Sequence, residues 1–196
     1  MARRSTVGLL ACLLAVGAVL GGCSKTHEAN DTLPSTSAPA PAPTEEELPP
    51  LGPADLPVPA EAREKTPEGA VEFVRYYVTL TKHVSENSQD PEPLLQLSEE
   101  CRTCTRIAQS IEADRAANYS YREYVFRFDE YGPALIDGDT AQVGFLYVQG
   151  PITVIDQAGQ VVADRSAAKA QELQSGAVLL WRQDLESWVI TGLTVG

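Results

Sequence analysis

Two cysteines three positions apart, Cys101 and Cys104, are the residues whose spacing most directly suggests chemistry. Such a pair near a helix start can form a disulfide, which we expect to tie the second predicted helix to the third in an oxidising compartment. A redox-active pair is the alternative, because a helix N-terminus stabilises a thiolate. Glu99 and Glu100 oppose that alternative, since neighbouring carboxylates raise a thiol pKa. A structural zinc site needs four ligands, and the predicted folded region adds only His83, so we expect no metal.

A third cysteine, Cys23, follows a segment with the layout of an export signal. Arg3 and Arg4 precede an uncharged, mostly apolar run over residues 5–22, and residues 20–23 read LGGC. This tetrapeptide resembles the lipobox of bacterial lipoproteins. It predicts a signal peptide over residues 1–22 and a diacylglyceryl group with fatty acyl chains such as palmitate on Cys23. The protein would then sit at the extracytoplasmic face of the cell membrane.

Other export arrangements stay open at this point. The uncharged run of 18 residues is marginal for an uncleaved transmembrane helix. A plain secretory signal cut elsewhere would leave Cys23 an ordinary thiol. The arginine pair allows either the general secretory or the twin-arginine route.

Net charge narrows the choice of partners. The formal charge is −12, and removing Arg3 and Arg4 with the signal would make it −14. An acidic chain argues against nucleic-acid binding, which is built from Lys and Arg on phosphates. It also argues against a second, electrostatic attachment to anionic lipid, so the expected membrane contact is the lipid anchor alone.

The catalytic motifs of several enzyme classes are missing from the sequence, which has no G-x-S-x-G, P-loop or G-x-G-x-x-G motif. His83 falls near a predicted helix end, where a histidine usually contacts terminal carbonyls or solvent. One enzyme hypothesis remains, an isomerase with an acidic base beside a tyrosine hydroxyl. Its candidate residues are Asp129 or Glu123 with Tyr124, Tyr76 or Tyr77.

The chain divides into three parts by composition. After the signal, residues 23–65 are rich in Pro, Ala and Glu and predict a disordered tether. Residues 66–196 predict one α+β domain. Thr66 as N-cap and Pro67 at the first position begin a helix that ends near residues 85–87. A short second helix is expected over 91–97, and a third from residue 98 or 99 to 117.

A run of strands follows the helices. Alternating residues predict strands over 119–131, 141–149, 151–155 and 161–163, while the Ala-, Gln- and Lys-rich residues 164–175 predict a helical excursion. In the first strand, simple alternation places Tyr121 on the face opposite Tyr124. Segments 177–183 and 188–195 predict a final hairpin.

A symmetric register of that hairpin pairs Trp181 with Ile190 and Leu179 with Gly192. It places both tryptophans on one face and Leu193 on the other, and both faces are apolar. Helices can cover one face, whereas the other needs a curled sheet, a ligand or a second subunit. The candidate ligand or partner surface comprises Trp181, Trp188, Tyr124 and Tyr77.

The order of elements resembles nuclear transport factor 2-like domains, which implies helices across a strongly curved antiparallel sheet. Residues 66–77, which read TPEGAVEFVRYY, and residues 101–104, which read CRTC, are similar to a family of uncharacterised actinobacterial lipoproteins. That resemblance implies the extracytoplasmic location and a role for the C-x-x-C, and it supplies no chemistry.

These patterns favour a non-catalytic domain that binds a small apolar or amphipathic ligand or an envelope protein, without a cofactor. A homodimer through the sheet is a further expectation. The alternatives are the small exported isomerase and a structural or interaction protein of the cell wall.

Overall fold

The computed structural model describes residues 50–196. The predicted signal peptide, the lipidation site Cys23 and the tether up to residue 49 lie outside the described residues. Within them, the chain forms three α-helices and a five-stranded antiparallel sheet, so the predicted α+β class is confirmed.

The first helix, α1 (Pro67–Glu86), begins and ends as its sequence predicts. The Oγ1 of Thr66 accepts a hydrogen bond from the Gly69 amide at 3.0 Å, which satisfies one of the free N–H groups of the first turn. Its buried face points towards the sheet and includes Phe73, Tyr77 and Leu80. This helix forms one wall of the space between helices and sheet.

The third helix starts later than predicted. After α2 (Glu92–Gln96), the chain runs alongside the last strand before α3 (Arg102–Ala116) begins. The Glu99 amide donates to the Ile190 carbonyl at 2.9 Å, and the Ile190 amide donates to the Leu97 carbonyl at 3.0 Å. These strand-like bonds keep residues 97–99 out of the helix, and Cys101 becomes its N-cap.

The sheet contains β1 (Ser120–Glu130), β2 (Leu135–Asp137), β3 (Thr140–Ile155), β4 (Gln171–Arg182) and β5 (Ser187–Val195). The strand order is β1-β3-β4-β5, with β2 also paired to β3. The predicted strands over 141–149 and 151–155 are one continuous β3. The sheet is open and not strongly curled, so the expected strongly curved sheet is not present among the described strands.

The prediction of a helix over residues 164–175 is wrong. Only Ala163–Arg165 form a short 3-10 turn, and β4 starts at Gln171. The Ala167 amide and carbonyl both bond to Ile152 of β3, each at 2.8 Å. Pairing with an already formed strand outweighs the weak helix propensity of these residues.

The final hairpin has a different register from the symmetric one. Trp181 pairs with Trp188 and Leu179 with Ile190, a shift of two positions. An irregularity between residues 178 and 179 then turns Leu193 to the inner face opposite Ala177. The two tryptophans share a face as predicted, while Leu193 joins the core.

The fold also includes a segment that we predicted as tether. Between residues 51 and 65 the chain contains a 3-10 turn, Ala60–Arg63, and it packs on α1. Ala62 is fully buried, and the Tyr76 hydroxyl donates to the Leu56 carbonyl at 2.8 Å. We placed the domain start at residue 66 because the composition of this stretch is dominated by proline. Its few apolar residues did not stand out against that background.

Candidate functional site

A cavity of about 410 Å³ lies between α1, α3 and the inner face of the sheet. Its volume falls within the range of small-molecule sites in proteins. Part of the lining is apolar and comes from both layers: Ile107 and Ile111 of α3, Phe145 of β3 and Leu193 of β5. The Leu193 side chain reaches this space because of the hairpin irregularity described above.

Tyrosine rings form one wall of the cavity. Tyr121 stacks on Tyr124 with ring centroids 5.9 Å apart, and Tyr147 stacks on Phe126 at 5.8 Å. Tyr121, Tyr124 and Tyr147 all line the cavity. These rings offer flat apolar surface with hydroxyl groups at their ends.

Irregular strand pairing brings Tyr121 to that wall. The register between β1 and β3 shifts between Tyr121 and Glu123, so an extra residue lies on β1 at that point. Tyr121 therefore shares the inner face with Tyr124, against our simple alternation. A second shift occurs opposite Gly150, where a Cβ would lie 2.7 Å from the Val125 Cβ. Only glycine allows that close approach.

Two tyrosine hydroxyls meet inside the cavity. The Tyr147 hydroxyl donates a weak, 3.5 Å hydrogen bond to the Tyr124 oxygen. Burial raises the pKa of Tyr147, and its bond to Tyr124 adds to the effect. Burial also raises the pKa of Tyr124. No hydrogen bond donated by the Tyr124 hydroxyl is found among residues 50–196, so its proton is free to form one.

A buried ionic cluster holds the next part of the wall. Asp114, 2% exposed, accepts hydrogen bonds from the Arg165 Nε at 2.8 Å and Nη2 at 2.5 Å. Its Oδ2 also accepts from the Tyr121 hydroxyl at 2.6 Å, and burial followed by this bond raises the pKa of Tyr121. Arg165 Nη2 donates further to the Ser110 Oγ at 2.6 Å. Both carboxylate oxygens of Asp114 are thereby satisfied.

Three charged side chains line the cavity itself. Arg165 is partly exposed, with its charge balanced by Asp114. Arg106 is exposed and donates from Nη2 to the Thr103 Oγ1 at 3.3 Å. Asp164 is also exposed. The exposed pair marks the solvent side of the cavity, whereas Ile111 and Phe145 lie at its buried side.

The four residues of the predicted ligand or partner surface lie in two separate places, two at the cavity and two away from it. Tyr77 and Tyr124 line the cavity, and the Tyr77 hydroxyl donates to the Leu94 carbonyl at 3.2 Å. Trp181 and Trp188 pack edge to face, with ring centroids 5.2 Å apart, and neither lines the cavity. The Trp188 Nε1 donates to the Glu64 carbonyl at 2.9 Å. Glu64 belongs to the stretch over residues 51–65, which we call the N-terminal segment.

The carboxylates of the isomerase hypothesis lie away from the cavity. Asp129 is bound by Arg127, with Nε 2.8 Å from its Oδ2, and Glu123 is exposed. Tyr76 lies under the N-terminal segment, bonded to Leu56. Of the residues in that hypothesis, only Tyr124 and Tyr77 line the cavity.

Cys101 and Cys104 are joined as a disulfide, with Cα atoms 5.2 Å apart. Both residues are buried, and the Cys101 Sγ accepts from the Cys104 amide at 3.1 Å. His83 lies with its Nε2 3.0 Å from the Asp55 Oδ2, another contact to the N-terminal segment. Residues 50–196 contain no group of three or more His, Cys, Asp or Glu side chains suited to a metal ion.

Sequence reasoning missed the ionic cluster of Asp114, Arg165 and Ser110. A signal existed, because Asp114 follows Ile107 and Ile111 at helical spacing and so falls on the buried stripe of α3. A carboxylate on such a stripe needs a charged partner. Nothing local in the sequence identifies Arg165 as that partner, since the two lie 51 residues apart.

The fold and cavity define a small α+β domain with a mixed polar and apolar chamber between helices and sheet. The chain belongs to DUF6318, a family of unknown function, whose sequence profile matches residues 54–194. No curated protein matches the chain. None of the described helices is long and apolar enough to cross a bilayer.

Two solved structures match the chain over about two thirds of its length. The intermembrane space region of chloroplast protein ARC6 superposes with a TM-score of 0.54 at 12% identity, covering 67% of this chain and 97% of that one. A nuclear transport factor 2-like superfamily protein from Salmonella enterica serovar Typhimurium gives a TM-score of 0.39 at 12% identity, covering 65% and 90%. At this identity, the first match shows a likeness of fold alone.

Proposed function

We propose that the protein is a lipid-anchored, extracytoplasmic binding domain that holds one small amphipathic molecule in its cavity. The observation that carries this proposal is the combination of apolar surface and unused hydrogen-bonding groups in one cavity. Ile107, Ile111 and Phe145 supply the apolar surface, and the Tyr124 hydroxyl supplies a free donor. Small-molecule sites typically combine mostly apolar walls with a few polar groups that orient the ligand.

The geometry favours binding over the isomerase alternative. An isomerase of the proposed kind needs a carboxylate free to take a proton inside the cavity. Asp114 is fully bonded to Arg165 and Tyr121, and Asp164 lies on the solvent side. Glu86, whose charge acts on Tyr124, is paired with Lys82. The carboxylates near the tyrosines are therefore already engaged, which favours a role of the tyrosines as donors.

A cavity-filling variant tests the binding proposal. Thr81 lines the cavity from α1, and Thr81→Phe should occupy part of the space. Thr79→Phe is the matched control, because Thr79 is also partly buried on α1 and its hydroxyl also bonds the carbonyl four residues earlier. The assay is native mass spectrometry of chains starting at Ser24, which keep every described core residue, after exposure to a cell-envelope lipid extract.

We expect one bound molecule per chain for the wild type and for Thr79→Phe, and none for Thr81→Phe. A wild-type chain without any adduct would contradict the proposal. So would an adduct that Thr81→Phe retains, because the molecule would then be bound elsewhere.

The anchoring part of the proposal rests on the LGGC segment and is tested separately. Cys23→Ala should block incorporation of labelled palmitate and move the protein out of the membrane fraction. Cys12→Ala is the matched control, since Cys12 lies inside the predicted signal and should leave labelling unchanged. Recovery of full-length, unmodified protein from wild-type membranes would overturn the anchor.

A second candidate function is partner binding through the outer face of the sheet. Tyr131, Leu135 and Val178 are 60%, 72% and 44% exposed, which is unusual for large apolar side chains. They border a shallow depression that Gly144 and Gly176 leave on neighbouring strands. This face suits an envelope protein or, through the sheet, a second copy of the chain.

Light scattering distinguishes between a second copy of the chain and an envelope protein as the partner. A dimer that Leu135→Lys converts to a monomer would support the homodimer, and a monomeric wild type would leave an envelope protein as the candidate. Leu95→Lys is a suitable control, because Leu95 is an exposed leucine on α2, outside this face.

A further inference from the structure

We infer that the molecule held in the cavity is a single-chain amphiphile with a carboxylate head group. The inference rests on the proposed binding function and adds the chemistry of the ligand. It follows from three donors of the cavity lining, which belong to Arg165, Arg106 and Tyr124, and from the charges around them.

The first donor is the far side of the Arg165 guanidinium. Its Nε and Nη2 atoms are occupied by Asp114 and Ser110, whereas Nη1 has no partner among residues 50–196. The two bonds to Asp114 fix the plane of the guanidinium group of Arg165, which lines the cavity. Little side-chain entropy is therefore lost when Nη1 donates to a bound molecule. A pre-oriented donor of this kind suits an oxygen acceptor.

The second and third donors are Arg106 and Tyr124. Arg106 lies one helical turn before Ser110 on α3 and also lines the cavity, where its Nη2 donates to the Thr103 Oγ1. The Tyr124 hydroxyl already accepts from Tyr147 and has its own proton left to donate. A carboxylate can accept all of these bonds, whereas an ammonium group can accept none.

The charges around the cavity can accommodate a single negative group. Arg165 is neutralised by Asp114, which leaves one further cation, Arg106, and one anion, Asp164, on the lining. Asp164 is exposed, so water weakens its repulsion of a bound carboxylate. The apolar tail would lie along Ile107, Ile111 and Phe145, on the buried side.

Three probes with one tail and different heads test the inference: decanoate, 1-decanol and decyltrimethylammonium. Calorimetry on the chain from Ser24 onwards measures each affinity. We expect decanoate to bind at least about tenfold more tightly than decanol, because hydrogen bonds to a charged group are the stronger kind. The ammonium probe should bind most weakly.

Variants assign the effect to named residues. Arg106→Gln should weaken decanoate binding about tenfold and leave decanol unchanged, and Asp164→Asn should tighten decanoate binding. Tyr124→Phe should weaken both. Arg127→Gln and Tyr119→Phe are matched controls outside the cavity and should change nothing. Arg165 is left intact, because its loss would strand the buried Asp114 charge.

The outcomes distinguish a wrong head group from a wrong proposed function. Decanol binding as tightly as decanoate, or Arg106→Gln without effect, would overturn the carboxylate and leave the binding cavity standing. Failure of all three probes to bind would overturn both.

Discussion

The protein has two aromatic clusters on the inner side of the same sheet, and they have opposite surroundings. Trp181 and Trp188 pack edge to face, and the segment before α1 covers them, with the Glu64 carbonyl accepting the Trp188 indole proton. Tyr121, Tyr124 and Tyr147 face an open cavity, and one of their hydroxyls has an unused proton. Aromatic composition alone did not separate these clusters. What distinguishes the two clusters is whether another part of the chain packs against the aromatic rings.

The largest expected effect tests the covered cluster. Trp188 is fully buried, so Trp188→Ala should lower the free energy of unfolding by about 3–5 kcal/mol through lost burial and the cavity left behind. Trp181→Ala should cost less, because Trp181 is only partly buried. Urea unfolding measures both. Equal, small losses would mean that the tryptophans are a surface pair, as at an exposed binding site.

The next effect concerns the ionic cluster behind the tyrosine wall. Arg165→Gln should lower the free energy of unfolding by about 3 kcal/mol, because the buried Asp114 charge loses its partner. Adding Asp114→Asn should restore part of that loss, since the stranded charge is removed. A double variant less stable than either single variant would contradict this coupling.

Alkaline pH should act on the buried tyrosines that line the cavity, Tyr77 among them, and not on the tryptophan pair. Burial raises the pKa of Tyr77 to about 12, against about 10 in an unfolded chain. The folded state keeps a proton that the unfolded state loses, so stability falls as the pH rises from about 10 to about 12. The loss from this residue amounts to about 2–3 kcal/mol.

Urea unfolding across that pH range measures the slope. Tyr77→Phe should make it less steep, because other buried tyrosines with a raised pKa still contribute. Tyr131→Phe, at an exposed position, should leave it unchanged. A slope that Tyr77→Phe leaves intact would show that this hydroxyl is not buried in solution.

The smallest of these effects belongs to the disulfide, which secures the start of α3 and so one wall of the cavity. Replacing both Cys101 and Cys104 by Ser should cost about 2 kcal/mol, because the closed loop is short. Both cysteines are buried, so reductant should act on the wild type only after unfolding. Rapid reduction of the native protein would favour the redox-active alternative.

Much of the fold could be predicted because the deciding information was local. Thr66 and Pro67 define the start of α1, and alternation defines most of β1 and the final hairpin. The hairpin register failed because a symmetric turn gives no sign of the irregularity near Val178. The helix predicted over residues 164–175 failed because pairing with β3 decided the conformation of that segment.

The cavity was harder to predict than the elements around it. Its tyrosine wall needs Tyr121 turned by irregular pairing of β1, and its ionic cluster joins Asp114 to Arg165 across 51 residues. Both depend on contacts between distant segments. The aromatic residues were identified from the sequence, but which of them a later segment would cover was not.

The most direct test of the account is where a bound amphiphile lies. Solution NMR of the chain with decanoate should give nuclear Overhauser contacts from the ligand methylenes to the rings of Tyr124 and Phe145, and none to the Trp188 indole. Contacts to Trp188, or to Leu135 and Val178 on the outer face of the sheet, would contradict the account.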